Sequence, residues 1–223
     1  MDNIYSQEKP TRKEQAIVTR RKLFDKALEI FAVKDMEDVR IKDICKETGV
    51  SVGTFYNYYT SKEDLLMEAY RFFDEEVVSR AQKKTYASAL DALYFIIAYQ
   101  CGNHEGLFDE KADAQVLEIL RHYEAGELLL WQQVLRIQLK TGGKSVIESD
   151  RSMNFYIREL VLRALSVGEL VSHTPPEEIA DTVLRISRGT MFDWAVRNGS
   201  YKAYEYAVKD VKHYLRAFLP EGK

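Results

Sequence analysis

A chain of 223 residues, 46% apolar and 30% charged, has enough material for a real apolar core in one large or two small domains. Its formal charge of −3 argues against a general polyanion binder, and its two cysteines exclude a disulfide framework. No apolar run follows a basic stretch at the N-terminus, and the most apolar window (90–99) is too short for a bilayer, so a soluble cytoplasmic protein without membrane association is expected.

Only 11 glycines and four prolines punctuate the chain, which favours an all-α fold. Charge is unevenly spread. Lys9, Arg12, Lys13, Arg20, Arg21 and Lys22 face Glu14 alone across 9–22, whereas the chain from Met67 onward carries 20 basic and 23 acidic residues. A basic arm ahead of an acidic body reads either as a DNA-contacting head or as a solubilising leader. The first periodic stretch, about 16–33, sets Leu23, Phe24, Ala27, Leu28 and Phe31 on one face. A second helix over 40–48 turns Ile41, Ile44 and Cys45 inward and stops at Gly49, a residue that tolerates positive φ. Ser51 is a good N-cap for a short third helix. Ser61, with Asp64 three residues on, predicts a capping box that opens a long fourth helix.

Helix, glycine-containing turn and short helix make a helix-turn-helix, whose second helix enters the major groove N-terminus first. Small and hydrogen-bonding side chains at that end let a duplex approach, and Ser51, Gly53 and Thr54 supply them. Tyr56, Asn57 and Tyr58 offer hydroxyl and amide groups for phosphate oxygens, and Lys62 stands in the first turn of the next helix, where free amides already attract phosphate. Phe55 and Tyr59 are expected in the core.

Taken together, Ala27 to Ala32, Ile41-Lys42-Asp43-Ile44, Gly49 to Tyr59 and Ser61 to Leu66 resemble the N-terminal domain of the TetR family of transcriptional regulators. The resemblance covers roughly the first third of the chain. It implies a three-helix DNA-binding head (1–60) and a helical effector-binding and dimerisation body (61–223). It further implies a homodimeric repressor of a near-palindromic double-stranded DNA operator, released by a small-molecule effector that the sequence does not identify. A regulator without an inducer, or an activator, stays open. The DNA-binding residues it implies are Arg40, Ser51, Val52, Gly53, Thr54, Tyr56, Asn57, Tyr58 and Lys62. The chain departs from the family in three places. Lys34-Asp35-Met36 replaces a glycine turn, so Asp35 is expected to turn left-handed. Arg40 stands where a small hydroxyl residue caps the second helix, and offers a phosphate contact instead. Val52 replaces a polar residue and favours an apolar contact such as a thymine methyl.

The body reads as further helices near 87–101, 107–121 and 124–140, then 150–171 with Phe155, Leu160, Leu162 and Leu165 on its apolar face. Between them Thr141 to Ser145 reads as a flexible loop, since Gln138 stands where a phosphate-binding loop needs glycine. Thr174 is expected to cap the next helix, with Pro175 at its first position and Glu177 completing a box; the last helix runs 201–218. The end of the chain, with Gly189 and Trp194, resembles the family's dimerisation part more loosely, Gly189 allowing two helices to approach. Tyr94, Phe95, Tyr99, Phe108, Tyr123 and Trp131, interleaved with Glu118, Glu124 and Glu127, would suit an apolar or cationic effector, although most such aromatics are plain core. No cofactor, metal site or enzyme is expected. The four histidines share no metal-ligand spacing, and no dinucleotide, nucleophile-elbow or zinc-protease motif occurs.

Overall fold

The computed structural model describes residues 11–103, 105, 127–137, 140 and 151–220, and among them every regular element is a helix. The first, α1 (Arg12–Val33), begins a turn before the expected 16 because Thr11 and Glu14 form a capping box. The Thr11 hydroxyl accepts the Glu14 N–H at 3.2 Å, and the Glu14 carboxylate accepts the Thr11 N–H at 2.7 Å. Leu23, Phe24, Ala27, Leu28 and Phe31 are buried along one face, as their spacing predicts.

The turn after α1 is built differently from the left-handed Asp35 that the sequence suggests. Asp35 has φ −59° and ψ 132°, and its carboxylate accepts the Glu37 N–H at 3.0 Å to start a 3-10 turn, Met36–Asp38. An aspartate cap pairs the turn's amide without the steric penalty of positive φ. Next come α2 (Ile41–Thr48), closed by Gly49 at φ 67°, and α3 (Val52–Tyr56), capped by Ser51. The long α4 (Lys62–Lys83) is capped by Ser61, but the reciprocal half of its box is displaced. The Asp64 carboxylate goes to Thr60, which offers both an amide, at 2.9 Å, and a hydroxyl.

The body continues with α5 (Ala89–Gln100), a helical stretch 127–137, α6 (Ser152–Ser166), α7 (Pro176–Val196) and α8 (Ala203–Leu215), which runs into a last 3-10 turn, Arg216–Phe218. In it α5 packs on α6 and α8, α6 on α4 and α7, and α7 on α8. Asp74 of α4 and Arg151, just before α6, are both buried and share two hydrogen bonds of 2.5 and 2.6 Å, a planar pairing that fixes α6 against α4. The expected segment 107–121, the loop 141–145, Phe108, Tyr123, Glu118 and Glu124 lie outside the described residues.

Three expectations for the body change. The helix expected over 150–171 ends at Ser166, before Gly168 at φ 74°. Its buried face is Met153, Tyr156, Ile157, Leu160, Val161 and Ala164, which leaves Phe155 and Leu162 outside. The Thr174 cap does not form either: Pro176 pushes the residue before it out of the helical region, so Pro175 (φ −53°, ψ 137°) becomes the N-cap and Pro176 the first helical residue. Both cysteines are buried, in keeping with a packing role for Cys45, and burial pushes the Cys45 thiol above its ordinary pKa. Among the described residues no helix is long and apolar enough to cross a membrane.

Candidate nucleic-acid interface

The short α3 holds its place through the residues at its far end. Phe55 is fully buried, and its ring lies 5.4 Å from Tyr56 and 5.8 Å from Tyr59. Tyr59 is buried too, its hydroxyl donating to the Arg20 carbonyl at 3.4 Å and to Glu68 at 3.3 Å. The Arg20 guanidinium covers the Tyr59 ring at 5.7 Å and pairs with Glu68 at 2.7 Å. Burial, with the Glu68 charge beside it, raises the Tyr59 phenol well above its ordinary pKa, so it remains a neutral donor. One end of α3 is thus bolted to α1 and α4 together.

The other side of α3 faces outward. Ser51, Val52, Gly53, Tyr56 and Asn57 are exposed, and Thr54 and Tyr58 are half-buried, Tyr58 against the core. Val52 is 42% and Tyr56 55% exposed, large values for apolar and aromatic side chains. The Ser51 hydroxyl accepts the Thr54 N–H at 3.0 Å and lies 2.8 Å from the Thr54 hydroxyl. A Cβ added at Gly53 would approach no described atom but the Ser51 hydroxyl, at 3.8 Å. The fold therefore gives Gly53 no reason to be glycine, although glycine within a helix costs about 1 kcal/mol relative to alanine.

The two cations expected beside this face are placed differently. Arg40 is the N-cap of α2 but caps nothing with its side chain; it is exposed and pairs with Asp43 at 3.1 Å. That guanidinium is the leading reason the Asp43 carboxyl sits below its ordinary pKa. Lys62 has partners of another kind. Its ammonium donates to the Met36 carbonyl and, at 2.8 Å, to the Val39 carbonyl, so it faces the turn before α2. Lys42 and Lys46, one turn apart on α2, are also exposed; their signal in the sequence is a polar pair opposite buried Ile44 and Cys45. In the basic arm, Arg20 and Arg21 are already paired with Glu68 and Asp25, whereas Arg12, Lys13 and Lys22 are exposed.

Two further surfaces belong to the body. Phe155 and Leu162 on α6, and Phe192 and Val196 on α7, are each at least half exposed. Gly189 lies near the latter pair, and no described atom comes within 4 Å of where its Cβ would be, so it permits no helix contact within the described chain. Of the aromatics, Tyr99 and Trp131 are buried and Phe95 is half-buried between Tyr86 and Tyr99, at 5.6 and 6.5 Å. Tyr94 belongs elsewhere: Lys212 of α8 covers its ring at 4.8 Å. Glu127 lies beside Gly102, whose φ of 97° and absent Cβ make room for the carboxylate. Among the described residues, no three His, Cys, Asp or Glu side chains are grouped to hold a metal ion.

Residues 23–69 match the family model described as bacterial regulatory proteins, tetR family. The chain is 26% identical over 96 residues to the HTH-type transcriptional regulator UidR of Escherichia coli K12, covering 43% of this chain and 42% of that one. Matches to curated relatives span between 20% and 64% of those proteins' lengths. In structure the chain is similar to a TetR transcription regulator from Haloarcula marismortui, with a TM-score of 0.66 at 14% identity over 92% of this chain and all of that one. A transcriptional regulator from Saccharomonospora viridis, solved in complex with choline, gives 0.63 at 19% identity over 92% of this chain and all of that one. The segment 23–69 thus matches the tetR family of bacterial regulatory proteins, and the fold is the one seen in these solved regulators.

Proposed function

We propose that this protein is a homodimeric, DNA-binding transcriptional repressor that leaves its operator when a small molecule occupies the body. The observation that carries the DNA reading is the outer face of α3. An exposed valine at 52, a glycine at 53 that no described packing requires and an exposed tyrosine at 56 stand there, on a helix anchored from behind by Phe55 and Tyr59. A helix interior with a bare backbone at its entrance suits close approach to a duplex, Val52 suits a thymine methyl, and Ser51, Thr54, Tyr56, Asn57 and Tyr58 suit phosphate or base edges. Arg40 joins them as a phosphate contact in exchange for its Asp43 pairing. Lys62 acts by holding the preceding turn in place.

Two heads, 1–60, read half-sites about one helical turn apart, ~34 Å, on a near-palindrome, and the bodies, 61–223, pair through the exposed faces of α6 and α7. An effector releases DNA to the extent that it binds better to the body conformation in which the heads miss that spacing. The Tyr86, Phe95 and Tyr99 cluster supports an apolar or cationic effector, as does the choline bound by the Saccharomonospora viridis protein. The test is selection of binding sites from random DNA, followed by fluorescence anisotropy on selected and scrambled duplexes at near-physiological salt. Tight binding of two chains to a selected near-palindrome is expected. Equal, weak and salt-sensitive binding to both duplexes would overturn the reading.

A further inference from the structure

The turn between α1 and α2 is gripped by two other elements. Gln133, on the body stretch 127–137, is buried, and its side-chain carbonyl accepts the Met36 N–H at 3.1 Å. The same amide donates to the Phe31 carbonyl at 3.1 Å. Lys62, at the start of α4, takes the carbonyls of Met36 and Val39. The peptide groups on either side of Met36 are therefore held by different elements, the N–H by the body and the C=O by α4. Three and seven residues beyond Gln133, on the same helical face, Arg136 pairs with Asp35 at 2.6 Å and Lys140 with Glu37 at 2.7 Å. A cavity of about 240 Å³ lies among these side chains, with Met36 and Ile137 as its apolar part.

From this we infer that Gln133 is a positioning residue, through which the body stretch 127–137 sets the placement of the α2–α3 pair; the inference rests on the DNA-binding reading above. Buried backbone groups must stay paired, so the turn cannot slide past Gln133 gradually. It follows the body helix or breaks two hydrogen bonds at once. Coupling of that kind is discrete, as a switch between two head placements requires. α2 starts three residues after Asp38, so a displaced turn carries the entrance of α2 with it.

The experiment uses the full chain with Gln133→Met, which keeps side-chain length and removes both hydrogen bonds. Hydrogen exchange read by mass spectrometry, with and without the selected DNA duplex as ligand, is combined with anisotropy. In the free variant, amides of 34–40 are expected to exchange at least tenfold faster while those of 203–215 keep their wild-type rates. DNA affinity is expected to fall at least tenfold. Binding of DNA should alter exchange across 127–137 in the wild type and not in the variant, since coupling between sites is reciprocal. If Gln133→Met does not fold, the surface double variant Arg136→Gln, Lys140→Gln serves, with a threefold rise in turn exchange and a threefold loss of affinity expected. Unchanged turn exchange in both variants would overturn the clamp. A loosened turn with wild-type affinity and a wild-type response across 127–137 would overturn the positioning role. A wild type that selects no DNA would instead defeat the DNA reading, and the exchange of the free chains would still decide the clamp.

Discussion

Arg40 and Lys62 carry the same charge and both stand at a helix entrance, yet their surroundings separate their roles. The Arg40 guanidinium is exposed and meets only a neighbouring carboxylate on its own helix, so a phosphate can replace Asp43 at little loss. The Lys62 ammonium already serves two backbone carbonyls that water would otherwise have to reach. Salt dependence distinguishes the two, because each phosphate contact adds about one unit to the slope of log affinity against log salt. Arg40→Gln is expected to reduce that slope by about 1, and Lys62→Met to leave it unchanged while lowering unfolding free energy by about 1–3 kcal/mol. Anisotropy titrations at four salt concentrations and a urea melt of each variant read both quantities. Tyr56, exposed on the outer face of α3, gives the third signature. Tyr56→Phe removes a hydroxyl and should weaken selected and scrambled duplexes by the same factor, several-fold, since phosphate contacts do not depend on base sequence. A loss confined to the selected duplex would reassign Tyr56 to base recognition.

At the scale of elements, two glycines four residues apart do opposite things. Gly49 ends α2 at φ 67°, where a Cβ meets no described atom, so Gly49→Ala strains the backbone without a clash and should destabilise the protein by about 1 kcal/mol. Gly53 lies inside α3 with open space around it, so Gly53→Ala should stabilise the free protein by about 0.5–1 kcal/mol yet weaken DNA binding at least tenfold. Thermal melts paired with anisotropy check both, and a Gly53→Ala protein that binds DNA normally would remove the argument for close approach. These helices were legible in the sequence because their signals are local: apolar spacing, Ser51 and Ser61 as caps, Gly49 as a stop. Phe55 and Tyr59 are legible as core for the same reason. Contacts between distant residues left no such trace. Nothing near Lys62 announces that its ammonium reaches back to Met36 and Val39, and nothing near Gln133 announces Phe31. The apolar face of α6 is ambiguous in the sequence because Phe155 and Leu162 share helical spacing with Leu165 as naturally as the buried set does; periodicity gives a face, and packing decides which one turns inward. The start of α7 moved because two consecutive prolines override a threonine cap.

For the whole molecule, acid and dimerisation probe different joints. The Asp35 carboxyl, in the head-to-body contact, is held below its ordinary pKa of 3.8, chiefly by the Glu37 N–H and further by Arg136. Glu37 is held low chiefly by Lys140. A depressed carboxylate contributes stability that is complete above the unfolded-state value and lost as pH falls through the folded one. Turn exchange at 34–40, corrected for intrinsic rates, should therefore stay flat from pH 7 to about 5 and rise only below about 4. The proposed dimerisation concerns a different set of residues. Phe155, Leu162, Phe192 and Val196 put large apolar area on two adjoining helices, which a lone chain would leave in water. Gly189, near Phe192 and Val196, has no described neighbour to accommodate, and in the proposed dimer its missing side chain would leave room for a helix from a second copy. Phe155→Glu and Phe192→Glu each place a charge at that junction, and both copies carry it because a two-fold interface repeats every residue. Either variant is expected to sediment as a monomer at micromolar concentration with its helix content retained. Gly189→Ala is the finer test: alanine favours the free helix by about 1 kcal/mol, so a higher melting temperature for the monomer together with weaker self-association would locate the partner helix at that position. Monomeric heads should lose most of their affinity for a two-half-site duplex while keeping that for a single half-site, because only pairing holds the second head in reach.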